Sequence, residues 1–195
     1  MNVNTAGFCA PYAERMPRPA RNFHSGGIYH VTSRGNRKQP LYIEQGDFEL
    51  FLALFTRTAA RLNWNCPSFC LMPNHYHLVI QTQDENLSAG MQTLNGRYAQ
   101  AFNARYETSG HAFQGRFHAV TVESDKHLLE LSRYLALNPV RAGLCSAPEA
   151  WPWGSYRFIV GAAPAPRCLH VRRALEYWDQ NPRRARERFR RFVRD

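Results

Sequence analysis

The sequence predicts an α+β fold, one antiparallel sheet with helices mainly on one face. Three observations lead there. Short runs rich in β-branched and aromatic residues are interleaved with longer runs of helical period, in the order β-α-β-β-α-β-α. Two of the strands are joined by a three-residue turn. A chain of 195 residues with 44% hydrophobic content can bury one real core but is short for two full domains.

Each element has its own signal. Gly26-Gly27 opens the run Ile28-Tyr-His-Val-Thr-Ser33, whose composition suits a strand, before a basic break at Arg34-Gly35-Asn36-Arg37. Asp47 is placed to cap a helix from about Phe48 to Leu62, where Phe48, Leu52, Phe55 and Ala59 keep a helical period. Residues 65–71 and 75–81 form a hairpin about Met72-Pro73-Asn74. From Asn86 to about Tyr106, Leu87, Met91, Leu94, Tyr98 and Phe102 recur every three or four residues, marking a second long helix. After a loop at 111–115, residues 116–122 alternate as a fourth strand. Asp125 caps a helix from Lys126 to about Asn138, limited by Pro139, because the residue before a proline is pushed away from the α region. This is the ferredoxin-like order with an added helix, and it leaves the other sheet face free to carry chemistry.

Residues 1–21 lack periodicity and read as a disordered extension; 22–161 form the domain; 162–195 form a linker and a basic helical tail broken near Asn181-Pro182. Between domain and tail, Trp151 to Tyr156 is expected to seal a core edge. The net charge of +10 favours polyanionic partners, with nucleic acid the leading class. Residues 167–195 carry ten arginines and four acids, a net of +6, leaving +4 for the rest. The five cysteines, an odd number, together with the lack of a signal-like or membrane-length apolar run, point to free thiols and a cytoplasmic protein.

The chemistry concentrates in two places. In Met72-Pro-Asn-His75-Tyr76-His77-Leu-Val-Ile80, strand alternation puts His75, His77 and Val79 on one face and Tyr76, Leu78 and Ile80 in the apolar layer. Two imidazoles on one face can hold one metal ion. Downstream, Tyr134 and Asn138 stand four apart and share a helix face. If that helix crosses the sheet, the Asn138 amide oxygen can join the imidazoles, and such a set suits Mg²⁺ or Mn²⁺ when phosphate oxygens complete the shell. A phenol, with an ordinary pKa near 10, needs a metal, base or cation before it attacks at neutral pH. Together these suggest a metal-assisted tyrosine nucleophile acting on phosphodiesters. Tyr134 also lies among Leu131, Leu135 and Leu137, where a plain core role is the competing reading.

The segments GGIYHVTSRGNRKQPLY (26–42), LMPNHYHLVI (71–80), GRYAQAFNARY (96–106), FQGRFHA (113–119) and SRYLALNPVRAGL (132–144) carry a resemblance covering most of residues 22–160. In content, order and spacing they resemble the REP-associated tyrosine transposases, a branch of the HUH single-strand transposases that use one tyrosine. The resemblance implies His75 and His77 as metal ligands, Tyr134 as nucleophile and Asn138 completing the metal site. It further implies single-stranded DNA as substrate, a 5′-phosphotyrosine intermediate, and hairpin-forming palindromic repeats as targets. A tyrosine between the histidines is a mild variation, and the likeness fades after about Gly161.

Other residues are candidates for DNA contact. Arg34, Arg37 and Lys38 in the first loop, Arg116 before the fourth strand, and Arg141 after Asn138 are placed to meet phosphates, with a solvated loop as the alternative. Tyr29, Phe113 and Phe117 suit base stacking or, more simply, core. His30 reads as a sheet histidine that can also face the site; His111 and His118 fall in no pattern. A zinc site from Cys66, Cys70, His75 and His77 is opposed by the roughly 13 Å between cysteines four apart in a strand. A non-catalytic ferredoxin-like nucleic-acid-binding module is the main rival function. No membrane partner is expected, and the sequence leaves monomer or homodimer open.

Overall fold

A computed structural model describes residues 23–195; the expected N-terminal extension lies outside the described residues. Four strands, β1 (Ile28–Arg34), β2 (Asn65–Met72), β3 (His75–Gln81) and β4 (His118–Thr121), form one sheet in the order β2-β3-β1-β4, with every neighbouring pair antiparallel. This is the predicted ferredoxin-like α+β arrangement. Helices α1 (Gln45–Arg61) and α2 (Leu87–Arg105) pack on one face. There Phe51, Phe55, Met91, Leu94 and Tyr98 meet Tyr76, Leu78 and Ile80 of β3, all fully buried. Gly90 lies where α2 passes so close to the Trp64 ring that a Cβ would collide with it.

Helix α3 (Asp125–Arg141) takes the opposite face. Its Leu128, Leu131 and Leu135 form a second apolar cluster with Cys70, Met72 and Val79 of the sheet and with Val122. The sheet is therefore covered on both sides, fully by α1 and α2 and partly by α3. Helix α3 runs past Pro139, although the sequence places a stop at about Asn138. The proline falls in the last turn, and the helix closes on Gly143, whose φ of +69° permits Gly143 N–H to reach Val140 O and Leu144 N–H to reach Pro139 O.

The start of α1 differs from expectation in a similar way. Glu44 is the N-cap, and Asp47 sits three residues on, completing a reciprocal capping box. The Asp47 carboxylate, 1% exposed, accepts from Ile43 N–H, Glu44 N–H, Tyr106 Oη and Arg105 Nη1, tying α1 to the end of α2. Burial pushes this carboxyl up, but those hydrogen bonds outweigh it and hold it below the usual range.

The C-terminal segment closes the β2 edge. Trp151 Nε1 donates to Leu71 O, Leu71 N–H reaches Trp153 O, and Ser155 N–H reaches Phe69 O. Trp153 also stacks on Phe48. After α4 (Tyr156–Ile159) and α5 (Val171–Glu176), Asn181 caps α6 (Pro182–Arg194), so the expected break at Asn181-Pro182 is where the helix begins. Ala185, Phe189 and Val193 make one buried stripe, Phe189 packing on Tyr156 and Trp178. Arginines cover the remaining faces of α6. Because a buried phenylalanine replaced by alanine loses both transfer energy and packing, Phe189→Ala is expected to lower unfolding stability by about 3–5 kcal/mol. Urea denaturation of the full chain checks this, and a loss under 1 kcal/mol would show that α6 is only loosely attached.

Candidate active site

His75 and His77 stand on β3 with side chains on the α3 face, as alternation requires. Antiparallel pairing sets Thr32 of β1 opposite His77 and Arg34 opposite His75. The hairpin turn is anchored to the first loop: Gly35 N–H donates to Asn74 O, Leu41 N–H to Pro73 O, and Asn74 Nδ2 to Lys38 O. Each imidazole is held through one nitrogen. His75 Nδ1 lies 2.8 Å from Asn74 Oδ1, and His77 Nδ1 lies 2.9 Å from His30 Nε2. Since an amide oxygen only accepts, His75 Nδ1 carries the proton and its Nε2 keeps a free lone pair. His77 Nε2 is buried and has no hydrogen-bond partner.

Burial keeps these rings neutral. The His77 pKa is pushed down to about 3 by desolvation, helped by His75 and His30, and that of His30 to about 4 by desolvation, helped by His118 and His127. Desolvation and then Arg34 lower His75 as well. Neutral imidazoles are what metal ligation requires.

Helix α3 brings the tyrosine to this pair. Ser124 caps it by accepting from His127 N–H, and its leucine stripe seats it on the sheet. Tyr134 therefore points along the surface, 41% exposed, with its ring edge-on to His77 at 5.6 Å between centroids and 87° between planes. One residue earlier, Arg133 bonds Glu130 and lies over the Phe192 ring of α6 at 4.6 Å. One turn later, Asn138 keeps a buried Nδ2 position without a partner among the described residues. An amide turned through 180° puts its oxygen there, a donor group suited to a hard cation.

Beside the histidines lies an open groove of ≈ 500 Å³, a size typical of small-ligand sites. Arg34, Gln114, Arg116 and His118 line it with His75 and His77. Of the DNA-contact candidates, Arg34 and Arg116 reach this groove. Arg37 and Lys38 are exposed on the adjoining loop, and Arg141 is exposed at the end of α3. Tyr29, Phe113 and Phe117 are buried and belong to the core. Two groove residues, Gln114 and His118, lie in the segment FQGRFHA but have no period or ligand spacing that marks them for the site; a loop and a four-residue edge strand bring them in. His30, read from the sequence as a sheet histidine that can also face the site, gains its partner His77 only from the pairing of β1 with β3, and Asn74 meets His75 only through the turn. Cys66 and Cys70 fall into different apolar clusters, Cys66 with the main core and Cys70 under α3. A register shift between Asn65 and Ser68 breaks the strand alternation there. No group of three or more His, Cys, Asp or Glu side chains among the described residues is placed to hold a metal, so the four-ligand zinc reading has no geometry behind it.

The family model described as "Transposase IS200 like" matches residues 24–138. The chain belongs to this family. A Haemophilus influenzae protein carried under the name REP-associated tyrosine transposase is 26% identical over 179 residues, 86% of this chain and 96% of that one. A solved structure of a REP-associated tyrosine transposase bound to a REP hairpin shares the fold, with a TM-score of 0.65 over 78% of this chain and 90% of the other at 17% identity. The chain is thus a transposase, an enzyme of DNA cleavage and strand transfer, and the non-catalytic module gives way. His75, His77, Tyr134 and Asn138 all lie within the family match, which stops at the start of the helix's last turn. No helix among the described residues of the transposase is long and apolar enough to cross a membrane.

The residues fit a divalent ion. Two neutral imidazoles, one with an unpartnered buried Nε2, and an amide on α3 with an unpartnered buried position are nitrogen and oxygen donors of the kinds that such an ion takes.

The depressed histidines carry a pH signature. Their folded pKa values lie below the ordinary 6.5, so between about pH 6.5 and pH 3 the unfolded chain binds protons that the folded chain does not. Stability is unaffected above that window and falls as the pH drops through it. In chelator-treated transposase the loss at pH 5 relative to pH 7.5 is expected on the order of 1–2 kcal/mol per imidazole. Urea midpoints compared with those of His77→Asn, which should show a flatter slope, test it; parallel slopes would exclude His77 as a source.

Proposed function

We propose that this transposase is a metal-dependent single-stranded DNA endonuclease and strand transferase in which Tyr134 is the nucleophile and His75, His77 and Asn138 hold a Mg²⁺ or Mn²⁺ ion. The observation that carries the reading is the edge-on contact of Tyr134 with His77, which puts an exposed hydroxyl-bearing ring beside a buried imidazole with a free nitrogen. The ion, when bound, polarises the scissile phosphate and favours the phenolate.

The chain's own groups do the rest. Tyr134 Oη forms a bond to phosphorus as the bond from phosphorus to the 3′ oxygen breaks, which yields a 5′-phosphotyrosine and a free 3′ hydroxyl. The phenol proton leaves to solvent and the departing oxygen takes one up. The new ester retains the diester's energy, so a second 3′ hydroxyl can reverse the step and join another strand. Arg34 and Arg116 in the groove neutralise flanking phosphates, Gln114 offers an amide to a base or sugar, and Arg37, Lys38 and Arg141 add exposed cations. A hairpin formed by a repeated palindrome is the proposed substrate, supported by the REP hairpin on the structural relative.

End-labelled single-stranded hairpins from repeats around the source gene, incubated with Mg²⁺ or Mn²⁺ and run on a denaturing protein gel, provide the test. Wild type is expected to form a protease-sensitive labelled adduct that disappears with chelator and with Tyr134→Phe. An adduct that survives Tyr134→Phe would reassign the nucleophile. Arg116→Ala should weaken binding to all sequences alike and flatten the plot of log affinity against log salt by about 0.7, the release expected from one single-strand phosphate contact. An unaltered slope in a fluorescence-anisotropy salt titration would remove Arg116 from the phosphate path.

A further inference from the structure

We infer that His30 is a positioning residue: through its hydrogen bond it fixes which nitrogen of His77 carries the proton and so keeps His77 Nε2 bare toward the tyrosine side of the sheet. His30 precedes Thr32 by two residues on β1, and Thr32 pairs with His77, so His30 is the diagonal same-face neighbour of His77 across the ladder. The two rings lie nearly parallel, 5.2 Å between centroids and 19° between planes, and Nε2 of His30 sits 2.9 Å from Nδ1 of His77. A neutral imidazole has one N–H and one lone pair. If His77 donates from Nδ1, its Nε2 is a lone pair available to a cation; if His77 accepted from His30 instead, its Nε2 would be an N–H buried without an acceptor. Either tautomer leaves the buried Nε2 without a protein partner, but a lone pair there can be met by a bound cation whereas an N–H cannot, which favours the first arrangement.

The same device recurs beside it. His75 is oriented by Asn74 Oδ1, again an uncharged acceptor. Metal-ligating histidines are commonly oriented by carboxylates, backbone carbonyls or water. In a groove that must admit a phosphodiester, a carboxylate would add negative charge against the substrate. An imidazole and an amide give the orientation without that repulsion.

The inference rests on the metal reading, and the tautomer spectra test it separately from metal binding. On the full chain labelled with ¹⁵N-histidine and freed of metal, two-bond ¹H–¹⁵N spectra should show His77 as the Nδ1–H tautomer. Finding Nε2–H in wild type would overturn the inference with no variant needed. Mn²⁺ titrations followed by electron paramagnetic resonance should show binding about 10–100-fold weaker in His30→Leu, with much of the loss recovered in His30→Gln, whose amide oxygen can accept in place of Nε2. Thermal melts establish that each variant is folded. If wild type binds Mn²⁺ in a His77-dependent way and His30→Leu binds equally well, His30 does not position the ligand. If Mn²⁺ binding ignores His77→Ala, the metal reading fails, and the tautomer spectra still decide the role of His30.

Discussion

The antiparallel pairing of β1 with β3 is the constraint on which the rest depends. A strand's side chains alternate with a period of two, so one register decides two things together. It sends Tyr76, Leu78 and Ile80 into the core beneath α1 and α2, and it sets His75 and His77 on the opposite face beside Arg34, Thr32 and His30. A slip of one residue would bury both imidazoles in the aromatic core and expose Leu78. Fold stability and site geometry are thus enforced by the same hydrogen-bonded ladder.

Helix α3 resolves a second demand, which is to hold Tyr134 firmly beside the histidines without burying it. Its leucines at 128, 131 and 135 face the sheet, while Tyr134 and Asn138 lie on an adjoining stripe that skirts the apolar contact. The segment beyond the family match braces it from outside. Phe192 of α6 receives Arg133, immediately before the tyrosine, and the buried stripe of Ala185, Phe189 and Val193 fastens α6 to the body of the enzyme. Residues that in sequence look like a charged appendage are therefore part of what steadies the helix that carries Tyr134.

The arginines of that segment divide by role. Arg186 donates to Ile159 O, Arg190 to Val160 O, and Arg188 to Trp178 O while pairing with Asp179. These satisfy the carbonyls left open around α4 and at the end of α5. Arg183, Arg184, Arg191 and Arg194 remain on the solvent side and contribute to the positive field that favours a polyanion.

Much of this was legible in the residues alone. Strand alternation around His75-Tyr76-His77, the helical spacing of Tyr134 and Asn138, the element order and the break at Asn181-Pro182 are local properties, and local periodicity is what a sequence displays directly. The end of α3 was not, because Pro139 removes one helical hydrogen bond without ending the helix, and the chain turns out only at the positive φ of Gly143. Nor was the start of α1, since Asp47 can serve as a cap or as the third residue of a capping box, and only the neighbouring Tyr106 and Arg105 show which. The partners of the histidines were hidden for a deeper reason. His30 meets His77 across 47 residues, and Arg116 and His118 join the groove from the loop before β4 and from β4 itself. The sequence by itself determined which side chains share a face within each element. Only the tertiary structure decided which faces meet, because strand register and helix docking are set by the packing of the whole core, where no single segment carries the information.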